Sequence, residues 1–276
     1  MAAKSVLITG CSSGIGRATA LAFLDADWTV YATARDVDDV ADLAEAGCET
    51  LALDVTDQDE VDAAIERVID EEGRLDCLVN NAGYGQFGTV EDVPTDVVEA
   101  QFDVNLYGPH RLIRAALPHM RERGKGTIIN LSSVSGRIST PGMGVYSSSK
   151  FALEGLSDAL RAEVDDYGID VVLIEPGPVE TNFAERADDE LDDGLDRSGA
   201  YEDIYEFYED QQLFGGSSAV AISPQAVANV IMEAACSPDP NPRYAPGQFA
   251  QLTLMSRFVP DRFRDLVFRL AKKLPT

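Results

Sequence analysis

Six short β-rich runs, Ser5 to Thr9, Thr29 to Ala34, Thr50 to Asp54, Cys77 to Asn80, Thr127 to Leu131 and Asp170 to Glu175, alternate with helical segments along this chain. Strands separated by helices pair in parallel, because the crossover helix carries the chain back to start the next strand in the same direction. The runs are apolar throughout rather than at every second residue, the pattern of strands covered by helices on both faces. An α/β fold follows, and 276 residues without a break in composition fit a single domain, 1–276. With 45% hydrophobic residues the chain is not disordered. Its longest apolar runs, near Val171 to Ile174 and Leu51 to Leu53, are far too short to cross a bilayer.

The formal charge of −26 argues against nucleic acid as a partner, since affinity for phosphate backbones rests on clustered cations. Only 5 of the 22 basic residues are lysine, and acids dominate the rest, a balance that resembles proteins from a salt-loaded cytoplasm. Cys11, Cys48, Cys77 and Cys236 show no metal-ligand spacing, and His110 and His119 are the only histidines. Reduced packing cysteines and no metal are therefore expected. Met1 to Ser5 enters the first strand-like run without the apolar stretch of a signal peptide, so a cytoplasmic location is expected and membrane contact is not. Helix starts are marked by Thr56 with Asp59 in a capping-box pattern, and by Ser223 before Pro224.

The first run leads straight into Gly10-Cys11-Ser12-Ser13-Gly14-Ile15-Gly16, and a helical pattern begins at once with Arg17. Glycines there permit tight backbone angles and close approach of a pyrophosphate, while free N–H groups at the helix start attract its charge. The spacing is G-x-x-x-G-x-G, so the general G-x-G-x-x-G fingerprint is not strictly met. The same residues satisfy G-x-S-x-G, with Ser12 as the nucleophile of a serine hydrolase. That chemistry needs an acid and then a histidine downstream on a loop, whereas both histidines fall in a helical stretch from Gln101 to Arg123.

Tyr146 and Lys150 are four apart, so on a helix they share a face, and an ammonium beside a phenol favours the phenolate. A free phenol, with a pKa of about 10, is a poor base at neutral pH, and a neighbouring charge would bring it closer to use.

Thr9-Gly10-x-x-x-Gly14-Ile15-Gly16, Asn80-Asn81-Ala82-Gly83, Asn105, Ser133, Tyr146-x-x-x-Lys150 and Pro176-Gly177 occur in this order. Over about residues 4 to 180 the chain resembles the short-chain dehydrogenase/reductase family, nearest in look to its steroid and retinol dehydrogenase-like members. The resemblance implies a Rossmann-type, doubly wound, mostly parallel sheet of about seven strands with helices on both faces. It also implies an NAD(P)-dependent oxidoreductase acting on CH–OH and C=O groups, with Asn105, Ser133, Tyr146 and Lys150 as catalytic residues. Ser133 would hydrogen-bond the substrate oxygen, Tyr146 would exchange the proton, Lys150 would also hold the nicotinamide ribose, and Asn105 would position a water relaying protons through Lys150. Gly10, Ser12, Ser13, Gly14, Ile15 and Gly16 would cradle the pyrophosphate. Asp54 and Val55 would meet the adenine, with Asn81, Ala82 and Gly83 along the cofactor, and Asn80 tying the central strand. Pro176, Gly177, Val179 and Thr181 would meet the nicotinamide carboxamide. Members of the family pair through the helix bearing the tyrosine and lysine and the one before it, which implies a homodimer or homotetramer. A non-catalytic nucleotide-sensing protein of the same fold would normally lack part of the Ser133, Tyr146 and Lys150 set.

After the second strand, Ala34 stands where NAD-selective relatives carry an acid, and Arg35 follows where NADP-selective relatives carry a base. NADP is the expected cofactor. Asp36 leaves NAD open, since it could neutralise Arg35 or accept the ribose hydroxyls.

The acidic stretch from Thr181 to Ser218 lacks periodicity and is expected to be a mobile loop or short helices, with 182–222 as the substrate lid. Its Tyr201, Tyr205, Phe207 and Tyr208 suit a hydrophobic alcohol or ketone, or else anchor a salt-adapted surface. In the C-terminal segment, 255–276, basic residues including Arg262, Arg264, Arg269, Lys272 and Lys273 oppose an apolar row at Phe263, Leu266, Val267, Leu270 and Leu274. This amphipathic helix is expected to cap the pocket or a subunit contact rather than lie on an anionic membrane. Because salt screens self-repulsion among the acids, the thermal unfolding midpoint is expected to rise between 0.1 M and 2 M salt; a flat or falling midpoint would contradict the reading of the surface.

Overall fold

A computed structural model describes residues 3–181, 195–211 and 220–271, with the backbone alone at 207–211 and 271. Seven strands form one sheet in the order β3-β2-β1-β4-β5-β6-β7. They are β1 (Ser5–Ile8), β2 (Thr29–Ala34), β3 (Glu49–Ala52), β4 (Cys77–Asn80), β5 (Gly126–Leu131), β6 (Ile169–Ile174) and β7 (Arg243–Tyr244). Every neighbouring pair is parallel. The first six match the apolar runs to within about two residues at each end. The two-residue β7 has no apolar run and is held by Leu173 pairing with Arg243 and Ile174 with Tyr244.

The uniform apolarity of the strands has the expected cause. In β1, Val6 and Ile8 point to one face and Leu7 to the other. On the first face Phe23 of α1 (Gly14–Asp25), Leu43 of α2 (Ala41–Ala46) and Val227 and Ile231 of α8 (Pro224–Cys236) complete a core. On the second, Val61 and Ile65 of α3 (Gln58–Glu72), Leu112 of α5 (Gly108–Arg123) and Leu160 of α6 (Gly144–Val164) complete another. Chain order reverses between β1 and β4, and their carboxyl ends open a crevice at that point.

Two helix starts differ in outcome. Ser223 caps α8 through the Ala226 N–H at 3.2 Å, with Pro224 in the first turn, as expected. The start of α3 is capped by Asp57, not by Thr56 with Asp59: the Asp57 carboxylate accepts from the N–H groups of Asp59 at 2.8 Å and Glu60 at 3.1 Å. Thr56 spends its hydroxyl on Asp54 instead, at 2.7 Å.

Much of the 182–222 segment, including the side chains of Phe207 and Tyr208, lies outside the described residues. The described part holds α7 (Glu202–Gln211), one of the short helices expected there. Tyr205 donates to Asp92 at 2.8 Å, and Asp92 also accepts from the Thr89 hydroxyl at 2.7 Å and the Ser198 N–H at 3.0 Å. Near the C-terminus, α9 (Gln248–Met255) precedes α10 (Asp261–Ala271). The two faces of α10 differ in their surroundings. Phe263, Leu266, Val267 and Leu270 are between 47% and 64% exposed, so the apolar row faces outward, and Phe268, off that row, is the residue turned to the crevice. Leu274 lies outside the described residues. No described helix is long and apolar enough to cross a membrane.

Burial alone would raise the Asp92 carboxyl, but its three donors outweigh that and hold it down at about 2. A carboxyl depressed in the folded state stabilises above its ordinary pKa and loses that stabilisation as pH falls toward the depressed value. Docking of 195–206 should therefore loosen below about pH 4, and Tyr205→Phe should loosen it at neutral pH. Amide exchange across 195–206 is the measurement, and protection unchanged by both acid and mutation would contradict the latch.

Candidate active site

The glycine turn and the start of the loop after β4 form one unit. The Thr9 hydroxyl accepts from the N–H groups of Asn81 at 3.0 Å and Ala82 at 2.9 Å, while the Asn81 amide donates to the carbonyls of Thr9 at 2.8 Å and Gly10 at 3.0 Å. Gly10, at φ 71°, is required here because a Cβ would stand 2.9 Å from the Ala82 Cα. Gly14 at φ 56° opens α1, and Ser13 at its N-cap makes no side-chain capping bond, so no capping side chain occupies the first-turn N–H groups.

Gly10, Ser12, Ser13, Gly14 and Ile15 line a crevice of about 1070 Å³. Gly16 does not. A Cβ there would fall 2.2 Å from the Gly10 carbonyl oxygen and 2.5 Å from the Asn81 amide nitrogen, so this glycine packs α1 against the turn. Ser12 lines the crevice with no histidine beside it, since His110 and His119 both lie on α5.

One end of the crevice is lined by Ala34, Arg35, Asp54 and Val55. Arg35 is exposed and makes no ion pair among the described residues. Asp36 does not neutralise it: its carboxylate accepts from the Asp38 N–H at 3.0 Å, capping the turn at Val37–Val40. Asp54 accepts at one oxygen from the Thr56 N–H and hydroxyl.

The other end gathers the remaining candidates. Tyr146 sits in the first turn of α6 and Ser133 follows β5, and the two side chains are hydrogen-bonded. Ser133 also caps its own short turn by accepting from the Ser135 N–H at 3.1 Å. Lys150, one helical turn after Tyr146, donates to the Leu131 carbonyl at 2.8 Å, and its nitrogen lies 5.9 Å from the centre of the Tyr146 ring. Asn105 lies in a π-helical turn (Asp103–Tyr107) between α4 (Thr95–Phe102) and α5. Its amide donates to the Tyr84 carbonyl at 2.9 Å and Ser149 at 3.1 Å, and its oxygen accepts from the Tyr84 N–H at 3.1 Å. Gly83 leaves room for this, because a Cβ would stand 3.0 Å from that oxygen and 3.6 Å from the Lys150 nitrogen. Asn80 donates to Asn130 at 2.8 Å, tying β4 to β5 as expected. Pro176, Gly177, Val179 and Thr181 close this side of the crevice, with the Thr181 methyl set against Gly14.

One electrostatic expectation is corrected. Burial pushes the Tyr146 phenol up to about 12, with the Ser133 hydrogen bond pulling the other way. Burial likewise brings Lys150 down to about 8, against the pull of Glu154. Desolvation disfavours both charged forms, so burial rather than the neighbouring ammonium governs the Tyr146 phenol in the free protein.

Sequence reading missed several apolar residues of the crevice lining: Phe87, Val97, Ile138, Met143, Phe249 and Phe268. Of these, Phe268 lies in the amphipathic C-terminal segment, off its apolar row. For a dinucleotide the crevice is suitable in length, in the uncapped helix start beneath it, and in the side chains omitted at Gly10, Gly14 and Gly83.

A family model described as short chain dehydrogenase matches residues 4–192. Human 17-beta-hydroxysteroid dehydrogenase type 1 is 41% identical over 260 residues, covering 88% of this chain and 77% of its own. A short-chain dehydrogenase from Streptomyces avermitilis has a solved structure with a TM-score of 0.83 at 36% identity, covering 99% of this chain and 97% of its own. Two further structures carry nucleotides: a metagenomic short-chain oxidoreductase with NADP (27% identity, TM-score 0.67, 88% and 97% covered) and a Burkholderia phymatum short chain dehydrogenase/reductase with NAD (25%, 0.78, 99% and 98%). Because the Gly16 Cβ would meet backbone, Gly16→Ala is expected to destabilise the fold by about 2–4 kcal/mol in denaturant unfolding. A loss under about 0.5 kcal/mol would show that the helix can move away from the turn.

Proposed function

The chain belongs to the short-chain dehydrogenase/reductase family of NAD(P)-dependent oxidoreductases, and we propose that it interconverts a hydrophobic alcohol and its carbonyl compound with NADP(H), using Tyr146 as general acid and base. The observation that carries this is the Tyr146 phenol, buried, hydrogen-bonded to Ser133 and one turn above Lys150, at the same end of the crevice as Gly83 and Gly177. When bound, the nicotinamide supplies or accepts hydride; the protein handles the proton. The glycine turn and the start of α1 hold the pyrophosphate, and Pro176, Gly177, Val179 and Thr181 hold the nicotinamide end. Ser133 and Tyr146 grip the substrate oxygen from one side, so that in reduction the phenol proton passes to the oxygen as charge develops there. Lys150 replenishes it, and Asn105, held at both ends by the Tyr84 backbone, keeps the π-turn open beside the lysine for a relay water.

NADP rather than NAD is favoured by Arg35, which has no partner among the described residues, and by Ala34, which brings no acid to the ribose. The apolar residues of the crevice lining support a hydrophobic substrate, as does the likeness to a hydroxysteroid dehydrogenase. A cytoplasmic homodimer or homotetramer, paired through α5 and α6, completes the proposal.

The test is oxidation of NADPH and NADH against aliphatic, aromatic and steroidal ketones in high salt. Tyr146→Phe is expected to lower kcat by roughly 10²–10⁴ while NADPH still binds; retention of most of the rate would overturn Tyr146 as the acid. Arg35→Ala should weaken NADPH binding about tenfold and NADH binding hardly at all, and equal losses would remove the NADP preference. Since oxidation consumes the phenolate and reduction the phenol, oxidation should gain rate as pH rises through the alkaline range and reduction should not; the opposite slopes would assign the proton to another group.

A further inference from the structure

Beneath Lys150 lies a buried ionic cluster with no part in the steps above. Glu154 follows Lys150 by four residues on α6, so the two share a face of the helix. Its carboxylate is 6% exposed, and that of Glu175, at the end of β6 just before Pro176, is 3% exposed. Arg137, from the loop that begins at Ser133, reaches Glu154 at 3.4 Å and Glu175 at 3.0 Å. Arg243 of β7 reaches them at 3.0 Å and 3.2 Å, and also meets Asp158 of α6 at 2.6 Å. At the rim, Asp158 is further paired with Arg161 at 2.7 Å.

Both guanidinium groups meet Glu154 through Oε2, while Oε1 is buried with no donor among the described residues. Glu154 thus meets both guanidinium groups through one oxygen and has the Glu175 carboxyl as its hydrogen-bonding neighbour. Gly136 brings the Ser133 loop onto this stretch of α6: a Cβ there would stand 3.1 Å from the Glu154 Cγ and 3.2 Å from the Lys150 carbonyl oxygen. Among the described residues, Lys150 also has Tyr146 near it on its own helix and donates to the Leu131 carbonyl of β5, with the neutral Asn105 on the other side of Gly83.

We infer that Glu154, braced with Glu175 by Arg137 and Arg243, is a positioning residue for charge. Its carboxylate holds the proton on Lys150, and a proton taken up from solvent by the Glu154/Glu175 pair weakens that hold. The low dielectric around both groups makes one turn of helix short enough for the coupling. Burial raises Glu175 to about 7, with the Glu154 charge adding to the rise and Arg137 and Arg243 opposing it, so Glu175 changes its proton content near neutrality. The cluster thus ties the pH response of the site to the same side chains that brace the Ser133 loop and the Pro176 segment. This rests on the reading of Lys150 as the cation below Tyr146.

The chain has only 5 lysines, so 13Cε-lysine NMR of the whole protein resolves each titration, with Lys150 assigned by Lys150→Met. In Glu154→Gln, shown folded by circular dichroism, the Lys150 midpoint should fall by about 0.5–1 pH. An unchanged midpoint overturns the inference. Should that variant not fold, wild type decides: Lys150 should show a second, smaller inflection near pH 7, from the carboxyl pair, and a single-step curve overturns it. The readout is charge rather than turnover, so failure here removes the coupling and leaves Tyr146 to be judged by Tyr146→Phe.

Discussion

The site depends on burying a phenol and an ammonium one helical turn apart, where neither is favoured in its charged form. Bringing Lys150 from 10.5 to about 8 costs roughly 3 kcal/mol of stability while it stays protonated. Because the folded value is the lower one, this cost is fully present below about pH 8 and disappears as pH rises toward the ordinary lysine value. Among the described residues, the Leu131 carbonyl accepts from Lys150, and the Glu154 charge already moderates this cost. A chain selected for stability alone would place an apolar residue there, and keeping the lysine is the trade made at a working site.

What holds that pair against a cofactor crevice is a clasp made without any charged group. Thr9 and Asn81 join the ends of β1 and β4, the two strands between which chain order reverses. Everything on one side of the clasp, from the glycine turn to Arg35 and Asp54, faces the nucleotide end. On the other lie Gly83, Ser133, Tyr146 and Pro176, at the end where the proposed chemistry would take place. The glycines serve the clasp as much as the ligand: Gly10 admits the Ala82 backbone, and Gly16 admits α1 against the turn. Asn81, read from the sequence as a cofactor residue, likewise spends its amide on the carbonyls of Thr9 and Gly10.

The sheet was legible because strands buried on both faces must be largely apolar at consecutive positions, as β1, β4, β5 and β6 are, whereas the edge strand β3 leaves Glu49 and Ala52 exposed. β7 escaped notice because two residues carry no period, and its place is fixed by long-range contacts of Arg243 with Glu154 and Glu175. The α3 cap went to Asp57 over Thr56 because Asp54 had already claimed the threonine hydroxyl, a competition invisible in the spacing. In α10 the amphipathic period was right, but which face meets the body depends on tertiary packing, and Phe268 rather than the apolar row turned inward. The Tyr146 phenol stands higher than a lysine four residues away suggests, since spacing reports proximity and not desolvation. Ser133, Tyr146 and Lys150, grouped by the family resemblance, all line the crevice, whereas Asn105 does not and sits behind Gly83.

The most direct measurement is the titration of Tyr146, followed by 13Cζ-tyrosine NMR in the free protein and with oxidised NADP bound. A phenol governed by burial should titrate near 12 when free and at lower pH once a cationic ring lies beside it. A free midpoint at the ordinary value of about 10, or one indifferent to the nucleotide, would contradict both the burial of the phenol and its place at the reacting end.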